Sequence, residues 1–186
     1  MEKNLVYNGK LIAKIAIFTA LSFILTFFEF PIFPQANFLK LDFSNVFVFI
    51  GGFSLGVVPG VIILIAKEAL CLLKTSTVVG QLANVLVGLS YVLVPFLLYQ
   101  RKRTFTRALI GLVLGGIIAT AFSIPINYFI TFPAFMGGVP FVPNSVSISV
   151  FNSLWLFVLL FNLIKAVVIN VLTLLLYKRV KSLLNF

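Results

Sequence analysis

Three polar side chains within apolar stretches are the residues of this sequence most able to do chemistry. Asn162 and Lys165 lie in one long apolar stretch, and Asn127 lies near the end of another. A charged group at the centre of a bilayer costs about 2.5–3.5 kcal/mol, so such residues usually face the bundle interior and serve a function. Asn162 and Lys165 are three positions apart and share a helix face. We interpret them as ligand-binding residues; the alternative is hydrogen bonding between helices alone.

Other polar residues give weaker indications. Asn84 comes early in an apolar stretch, with Gly88 one turn later. Taken alone, Asn84 is better explained by hydrogen bonding between helices. Lys67 and Glu68 are adjacent, so they point about 100° apart on a helix, and we interpret them as an ion pair. A carboxylate that couples transport to protons is the alternative, although a single buried acid is weak evidence for it.

The composition excludes several kinds of site. The sequence has no histidine, a single cysteine and four acidic residues, which rules out a histidine-based metal or catalytic site, an internal disulfide and a thiolate cluster. It also lacks the motifs G-x-x-x-x-G-K-[ST], G-x-S-x-G and H-E-x-x-H. We therefore predict a protein that is not an enzyme and has no metal or cofactor. If the chain is an active transporter, its energy must come from a partner or an ion gradient.

The composition is that of an integral membrane protein. Of the 186 residues, 61% are hydrophobic and 10% are charged, too few charges for the surface of a soluble domain. The formal charge of +10 is divided among short basic clusters between apolar runs. That pattern follows the positive-inside rule and argues against nucleic-acid binding, which needs one basic face. The first apolar stretch has no small-residue cleavage site, so we expect a retained helix and not a signal peptide.

Apolar stretches predict an all-α protein with six transmembrane helices in a single domain, residues 1–186. The predicted helices cover residues 11–28, 43–54, 57–74, 80–99, 108–131 and 149–177. The second is short, since about 20 residues are needed to cross a bilayer. Prolines and glycines predict long irregular loops at 29–42 and 132–148.

The basic residues orient this bundle. With six helices, three basic residues at the N-terminus, four in the linker 101–107 and three at the C-terminus share one side, out of fourteen in total. Basic residues are retained in the cytoplasm, so both termini are predicted to be cytoplasmic. The long loops after the first and fifth helices, with Glu29 and Asp42 at the outer surface, then lie outside. Their aromatic residues and prolines suit either an ordered cap over a cavity or an interfacial aromatic belt.

A set of short stretches is distributed over residues 11–180. They are Ala16-Ile-Phe-Thr-Ala20, Leu41-Asp-Phe-Ser-Asn45, Gly51–Gly56 with Pro59-Gly60, Lys67, Asn84–Gly88, Asn127-Tyr128 with Pro133, and Phe161–Lys165. Together they resemble the riboflavin-specific S components of energy-coupling factor (ECF) transporters. The Ala-x-x-x-Ala pair is shared by S components in general, whereas Asn127, Asn162 and Lys165 point to riboflavin.

This resemblance implies a six-helix subunit of the cell membrane that binds one vitamin near the outer face, under the loop after the first helix. Asn127, Asn162 and Lys165 would hydrogen-bond the flavin ring and the ribityl hydroxyls. The other residues expected around the ligand are Phe38, Leu39, Leu41, Asn84, Gly88 and Tyr128. Ala16 and Ala20 would face a transmembrane coupling subunit that two ATPase subunits drive, and the S component would topple in the membrane to release the vitamin inside.

Two alternatives stay open at this point. The chain could be an S component for a different vitamin, because the scaffold is shared and the pocket residues differ. It could instead be a ligand-free membrane assembly subunit, surrounded by lipid, whose polar residues only pack helices.

Overall fold

Helices make up most of the described chain. The computed structural model describes residues 9–74 and 78–184. Its helices are α1 (Gly9–Leu25), α2 (Asn45–Leu55), α3 (Val57–Cys71), α4 (Val78–Arg101), α5 (Phe105–Ile126), α6 (Phe132–Phe135) and α7 (Ser145–Leu184). A π-helical turn, Asn127–Thr131, joins α5 to α6. Two antiparallel strands, β1 (Phe30–Pro31) and β2 (Lys40–Leu41), form a hairpin between α1 and α2.

Each of the six predicted helices has a counterpart in the structure, with shifted ends. α1 ends at Leu25 and α3 at Cys71, each three residues before the predicted end. α7 is longer than predicted, because it begins at Ser145 and continues to Leu184. The predicted fifth helix is α-helical only to Ile126 and then changes to the π turn.

The irregular segment predicted at 132–148 is shorter in the structure, because only residues 136–144 lie outside helices. The predicted bounds of this segment were therefore wrong. Pro133 lies in the first turn of α6, where a proline needs no N–H donor. Asn144 and Ser147 form a capping box that starts α7 earlier than predicted. The Ser147 amide donates to Asn144 Oδ1 (2.7 Å), and the Asn144 amide donates to Ser147 Oγ (3.0 Å).

Three helical runs in the described residues are long and apolar enough to cross a membrane. They are Val78–Arg101, Phe105–Phe135 and Ser145–Tyr177. α1 and α3 have 17 and 15 residues. α2 has 11 residues, a length of about 16 Å against about 30 Å of hydrocarbon. Six spanning helices therefore stay a prediction, which these three runs support in part.

The short helix α2 is part of the core. Eight of its eleven residues are buried, and it packs against α1, α3, α4 and α7. Gly52 permits this packing, because a Cβ there would lie 2.0 Å from the ring of Phe96 on α4. Gly56 alone turns the chain from α2 into α3 with φ 110°, a conformation that L side chains rarely adopt.

Within the described residues, buried apolar side chains form two clusters. The larger cluster joins α1, α2, α3, α4, α5 and α7 and includes Phe49, Leu64 and Ile169. The smaller cluster joins the hairpin to α6 and α7 and includes Leu39 and Phe161. The loop after α1 is thus an ordered cap docked on the helices by apolar contacts.

Glycine allows backbone contact between α4 and α5. A Cβ on Gly115 would lie 2.3 Å from the carbonyl oxygen of Tyr91 and 2.9 Å from the ring of Pro95. Neither neighbour is the flexible end of a side chain, so neither can move aside without shifting α4. This contact holds Tyr91 in place, and Tyr91 lines the cavity described below.

The first prediction concerns Gly115→Ala. Alanine is the better helix former by about 1 kcal/mol. We nevertheless expect a lower melting temperature in detergent, because overpacking of this kind costs about 1–3 kcal/mol. Gly9→Ala is the matched control, since a Cβ at Gly9 has no atom of residues 9–74 or 78–184 within 4 Å. Equal melting temperatures for the two variants would contradict the proposed backbone contact.

Candidate ligand-binding site

A cavity of ≈ 340 Å³ lies between the hairpin and the helices α3, α4, α5 and α7. This volume is within the range of about 300–1,000 Å³ that is usual for small-molecule sites. Phe38, Leu39 and Phe161 belong to an apolar part of the wall, and amides, lysines and carboxylates form a polar part. Such a wall suits an apolar ligand whose orientation is set by a few polar groups.

Seven of the nine predicted binding residues line this cavity. They are Phe38, Leu39, Asn84, Gly88, Asn127, Asn162 and Lys165. They come from the hairpin, α4, the π turn and α7, so the fold brings together residues that are distant in the chain. Their contact with a ligand stays a prediction.

Leu41 and Tyr128 do not line the cavity, which corrects their expected positions. Leu41 is buried in the smaller apolar cluster. The Tyr128 ring packs against the ring of Phe151, with 5.1 Å between centroids. Consecutive residues of a helix point in different directions, so Tyr128 turns away from the cavity that its neighbour Asn127 faces.

Asn127 and Asn162 are held by their own helices. Each donates one amide N–H to the carbonyl oxygen four residues earlier, at 2.8 Å in both cases. A side-chain amide has two N–H donors and one acceptor oxygen. The second donor and the oxygen of each amide have no hydrogen-bond partner among the described residues. Both amides can therefore offer a donor and an acceptor to a ligand.

The π turn shapes the wall next to Asn127. Pro133 has no N–H, so the Phe129 carbonyl loses its helical donor four residues on. That carbonyl instead accepts the N–H of Phe141 at 2.6 Å, which anchors the loop before α7. The hydroxyl of Thr131, which lines the cavity, is buried without a hydrogen-bond partner in the described part of the chain. π turns are frequent at functional sites.

Asp42 is the main cavity residue that sequence reasoning missed. Its Oδ2 forms an ion pair with Lys165 Nζ at 2.9 Å, and both side chains line the cavity. It was expected at the outer surface, but its side chain is 15% exposed. Asp42 Oδ1 accepts the backbone N–H of Ser44 at 2.8 Å and the Ser44 hydroxyl. The Asp-Phe-Ser sequence before α2 could have indicated this position of Asp42. An Asp side chain often accepts a hydrogen bond from the backbone N–H two residues later.

Lys67 and Glu68 form the ion pair predicted for them. Their Nζ and Oε1 atoms are 2.6 Å apart, and the two side chains are 4% and 6% exposed. Lys67 Nζ also donates to Ser44 Oγ (3.0 Å) and to Asn45 Oδ1 (3.1 Å). Ser44 thus links the two ion pairs into one series, Lys165–Asp42–Ser44–Lys67–Glu68, which we call the charge chain.

The environment of Asp42 keeps it ionised. Burial alone would raise the pKa of its carboxyl, but the positive charges of Lys165 and Lys67 and the hydrogen bond from Ser44 outweigh burial. The pKa of Asp42 therefore lies well below its usual value. The charge chain carries two positive and two negative groups and is neutral as a whole.

A second cluster of charges closes the edge of the cavity. Glu29 pairs with Lys40 on β2 at 2.9 Å and with Lys74, after α3, at 3.0 Å. Lys74 Nζ also donates to the carbonyl oxygen of Thr26 at 2.5 Å. Burial alone would raise the pKa of Glu29, but the hydrogen bonds and charges of both lysines outweigh it and lower the pKa. Glu29 was expected as a surface loop residue. Its two ion pairs instead connect the hairpin to the end of α3.

The two alanines predicted to dock a partner lie on the outside of the bundle. Ala16 and Ala20 are exposed on α1, whereas Ile15, Thr19 and Ser22 of the same helix are buried. Ala16 and Ala20 therefore lie on an exposed face of α1, and the binding of this face to a partner stays a prediction.

The sequence matches the family described as "ECF transporter, substrate-specific component" over residues 10–177. A solved structure described as "Structure and mechanism of the S component of a bacterial ECF transporter" has a TM-score of 0.79 and 31% sequence identity to this chain. The match covers 96% of this chain and 99% of that chain.

Curated relatives cover nearly the whole length. Riboflavin transporter RibU of Staphylococcus aureus is 32% identical over 98% of this chain and 95% of its own length. Riboflavin transporter RibU of Streptococcus thermophilus is 29% identical, covering 95% and 85%. Riboflavin transporter FmnP of Bacillus subtilis is 25% identical, covering 92% of each chain.

The second prediction concerns Glu29→Gln, which removes the charge that both lysines share. We expect amide hydrogen exchange of residues 29–41 to accelerate about two- to thirty-fold at pH 7, since each of the two partly exposed ion pairs contributes about 0.2–1 kcal/mol. Because the pKa of Glu29 is lowered, its contribution is fully present above the ordinary pKa of a glutamate and is lost as pH falls from there through the lowered pKa. The difference between wild type and variant should therefore vanish in acid. Lys102→Gln, an exposed charge change, is the control, and a difference that persists in acid would contradict this role.

Proposed function

This chain belongs to the substrate-specific components of ECF transporters, and we propose that it captures riboflavin at the outer face of the membrane and delivers it with an ATP-driven coupling module. The family consists of multi-pass membrane components of transporters and not of enzymes. The observation that carries the proposal is the meeting of Asn127, Asn162 and Lys165 in one cavity with apolar walls. Relatives of the chain are named riboflavin transporters.

The chemistry of riboflavin fits this wall. Its ring system is flat and apolar on both faces, and one edge carries carbonyl acceptors and an N–H donor. Phe38, Leu39 and Phe161 supply apolar contact, while the free donor and acceptor of the Asn127 and Asn162 amides match the polar edge. In the proposed complex, Asn84 and the charged side chains around Glu29 lie beside the ribityl hydroxyls.

We further infer six membrane-crossing helices in a single domain, residues 1–186, with both termini in the cytoplasm. α4 supports this orientation. Its first turns line the cavity at Gln81 and Asn84, and its last residue, Arg101, begins the basic linker. A helix of 24 residues is about 36 Å long, so linker and cavity lie on opposite sides of a bilayer. The positive-inside rule then puts the cavity outside.

The chain lacks a phosphate-binding loop, so ATP hydrolysis belongs to partners. We propose a transmembrane coupling subunit and two ATPase subunits as these partners. Ala16 and Ala20 are four residues apart on the exposed face of α1, a spacing of small residues that lets another helix approach closely. This face is the proposed contact with the coupling subunit.

The third prediction tests the ligand. Wild-type protein purified in detergent should quench riboflavin fluorescence on titration and saturate. Asn127→Ala and Asn162→Ala should each weaken binding about ten-fold, because each removes a hydrogen bond from a buried polar edge. Lys102→Ala, just beyond the opposite end of α4, should bind like wild type. Failure of the wild type to bind riboflavin, or tight binding of another vitamin alone, would overturn the proposal.

The fourth prediction separates binding from delivery. Ala16→Trp should leave riboflavin binding unchanged and abolish riboflavin uptake in cells that contain the partner subunits, because the large ring blocks helix contact. Ala121→Trp, on the exposed face of α5, is the matched control and should keep uptake. Loss of binding together with uptake in Ala16→Trp would argue against a docking role.

A further inference from the structure

Three carboxylates line the cavity, and each has a lysine partner. Glu29 pairs with Lys40 and Lys74 at the edge. Asp42 and Glu68 lie deeper and belong to the charge chain. The carboxylates of Asp42 and Glu68 are 15% and 6% exposed, against 23% for Glu29, so solvent screens their charges less.

Asp42 differs from Glu68 in its relation to the cavity. The partner of Glu68, Lys67, is buried and does not line the cavity, whereas the partner of Asp42, Lys165, does. Asp42 Oδ2 lies 2.9 Å from the only ammonium that α7 presents to the cavity in the described residues. With Asp42 present, a bound ligand lies next to a neutral ion pair. Without its charge, the ligand lies next to the unpaired positive charge of Lys165.

We propose that Asp42 is a specificity-determining residue, which neutralises Lys165 so that the cavity prefers an uncharged flavin over its phosphorylated form. The proposal rests on the proposed function, since it assumes a flavin in this cavity. Lys165 still donates to the ligand, because an ammonium has three N–H donors and Asp42 occupies one.

The size of the effect follows from electrostatics. The interaction between two unit charges about 10 Å apart, in an effective dielectric constant of about 20, is strong enough to change a binding constant by about ten-fold or more. A flavin phosphate carries about −1.5 to −2 charges at pH 7. Lys165 lines this cavity of ≈ 340 Å³. A phosphate bound inside the cavity is therefore exposed to the field of one unbalanced charge on Lys165.

A structural role of Asp42 would act differently. Its Oδ1 also accepts the Ser44 N–H at the start of α2, and a defect there would weaken all ligands alike. Asp42→Asn retains an oxygen that can accept this N–H while it removes the charge. The ratio of two dissociation constants, flavin mononucleotide over riboflavin, separates the two roles because only charge changes the ratio.

The experiment measures that ratio by fluorescence titration of purified proteins at neutral pH and fixed salt. Asp42→Asn should lower it about ten-fold, because Lys165 is left unbalanced and attracts the phosphate. Lys165→Met should raise it by a similar factor, because Asp42 is left unbalanced and repels the phosphate. The double variant should return to the wild-type ratio, and Lys102→Met should not change it.

The outcomes distinguish this proposal from the function on which it rests. Wild-type riboflavin binding with a ratio that stays constant in both single variants would overturn the role of Asp42 alone. Absence of riboflavin binding by the wild type would overturn both. If Asp42→Asn fails to fold, Lys165→Met still decides, since an unchanged or lowered ratio in that variant contradicts the proposal.

Discussion

The ion pair between Asp42 and Lys165 joins residues 123 positions apart and connects the start of α2 with the middle of α7. Through Ser44 it continues to Lys67 and Glu68 on α3. Buried ion pairs add little net stability, because desolvation offsets their attraction, but loss of one partner costs about 3–5 kcal/mol. The charge chain therefore selects one arrangement of three helices and thereby determines where the cavity lies.

Lipid imposes the same constraint on the rest of the polar groups. A charge in an apolar surrounding needs a partner, and every described carboxylate has a lysine within 3.0 Å. These pairs gather where the hairpin meets α3, α4 and α7, which concentrates polarity at one end of the bundle. Close packing elsewhere relies on glycines such as Gly52 and Gly115, whose missing side chains admit a ring or a backbone. The result is a stiff apolar scaffold with one polar site.

Hydropathy was sufficient to predict six helices, and polar residues in apolar stretches were sufficient to find Asn127, Asn162 and Lys165 in one cavity. The errors have physical causes. Asp42 looked like a loop residue, because sequence does not reveal that the loop folds back over α7. Tyr128 faces away from the cavity, because its ring packs against Phe151 of α7, and the sequence does not reveal which residues of the π turn contact α7. Long-range pairing and local helix type were thus beyond sequence reasoning.

The half of the bundle beyond the cavity is filled with aromatic side chains. Tyr91 lines the cavity, its hydroxyl donates to Asn170 Oδ1 at 2.8 Å, and its ring lies 4.8 Å from that of Phe49. The aromatic contacts continue to Tyr99, whose hydroxyl is 2.5 Å from that of Tyr177. A packed interior of this kind resists opening, because separating its rings would leave large voids. With the proposed partner on the exposed face of α1, we therefore propose that delivery uses movement of the whole subunit and not a path through the bundle.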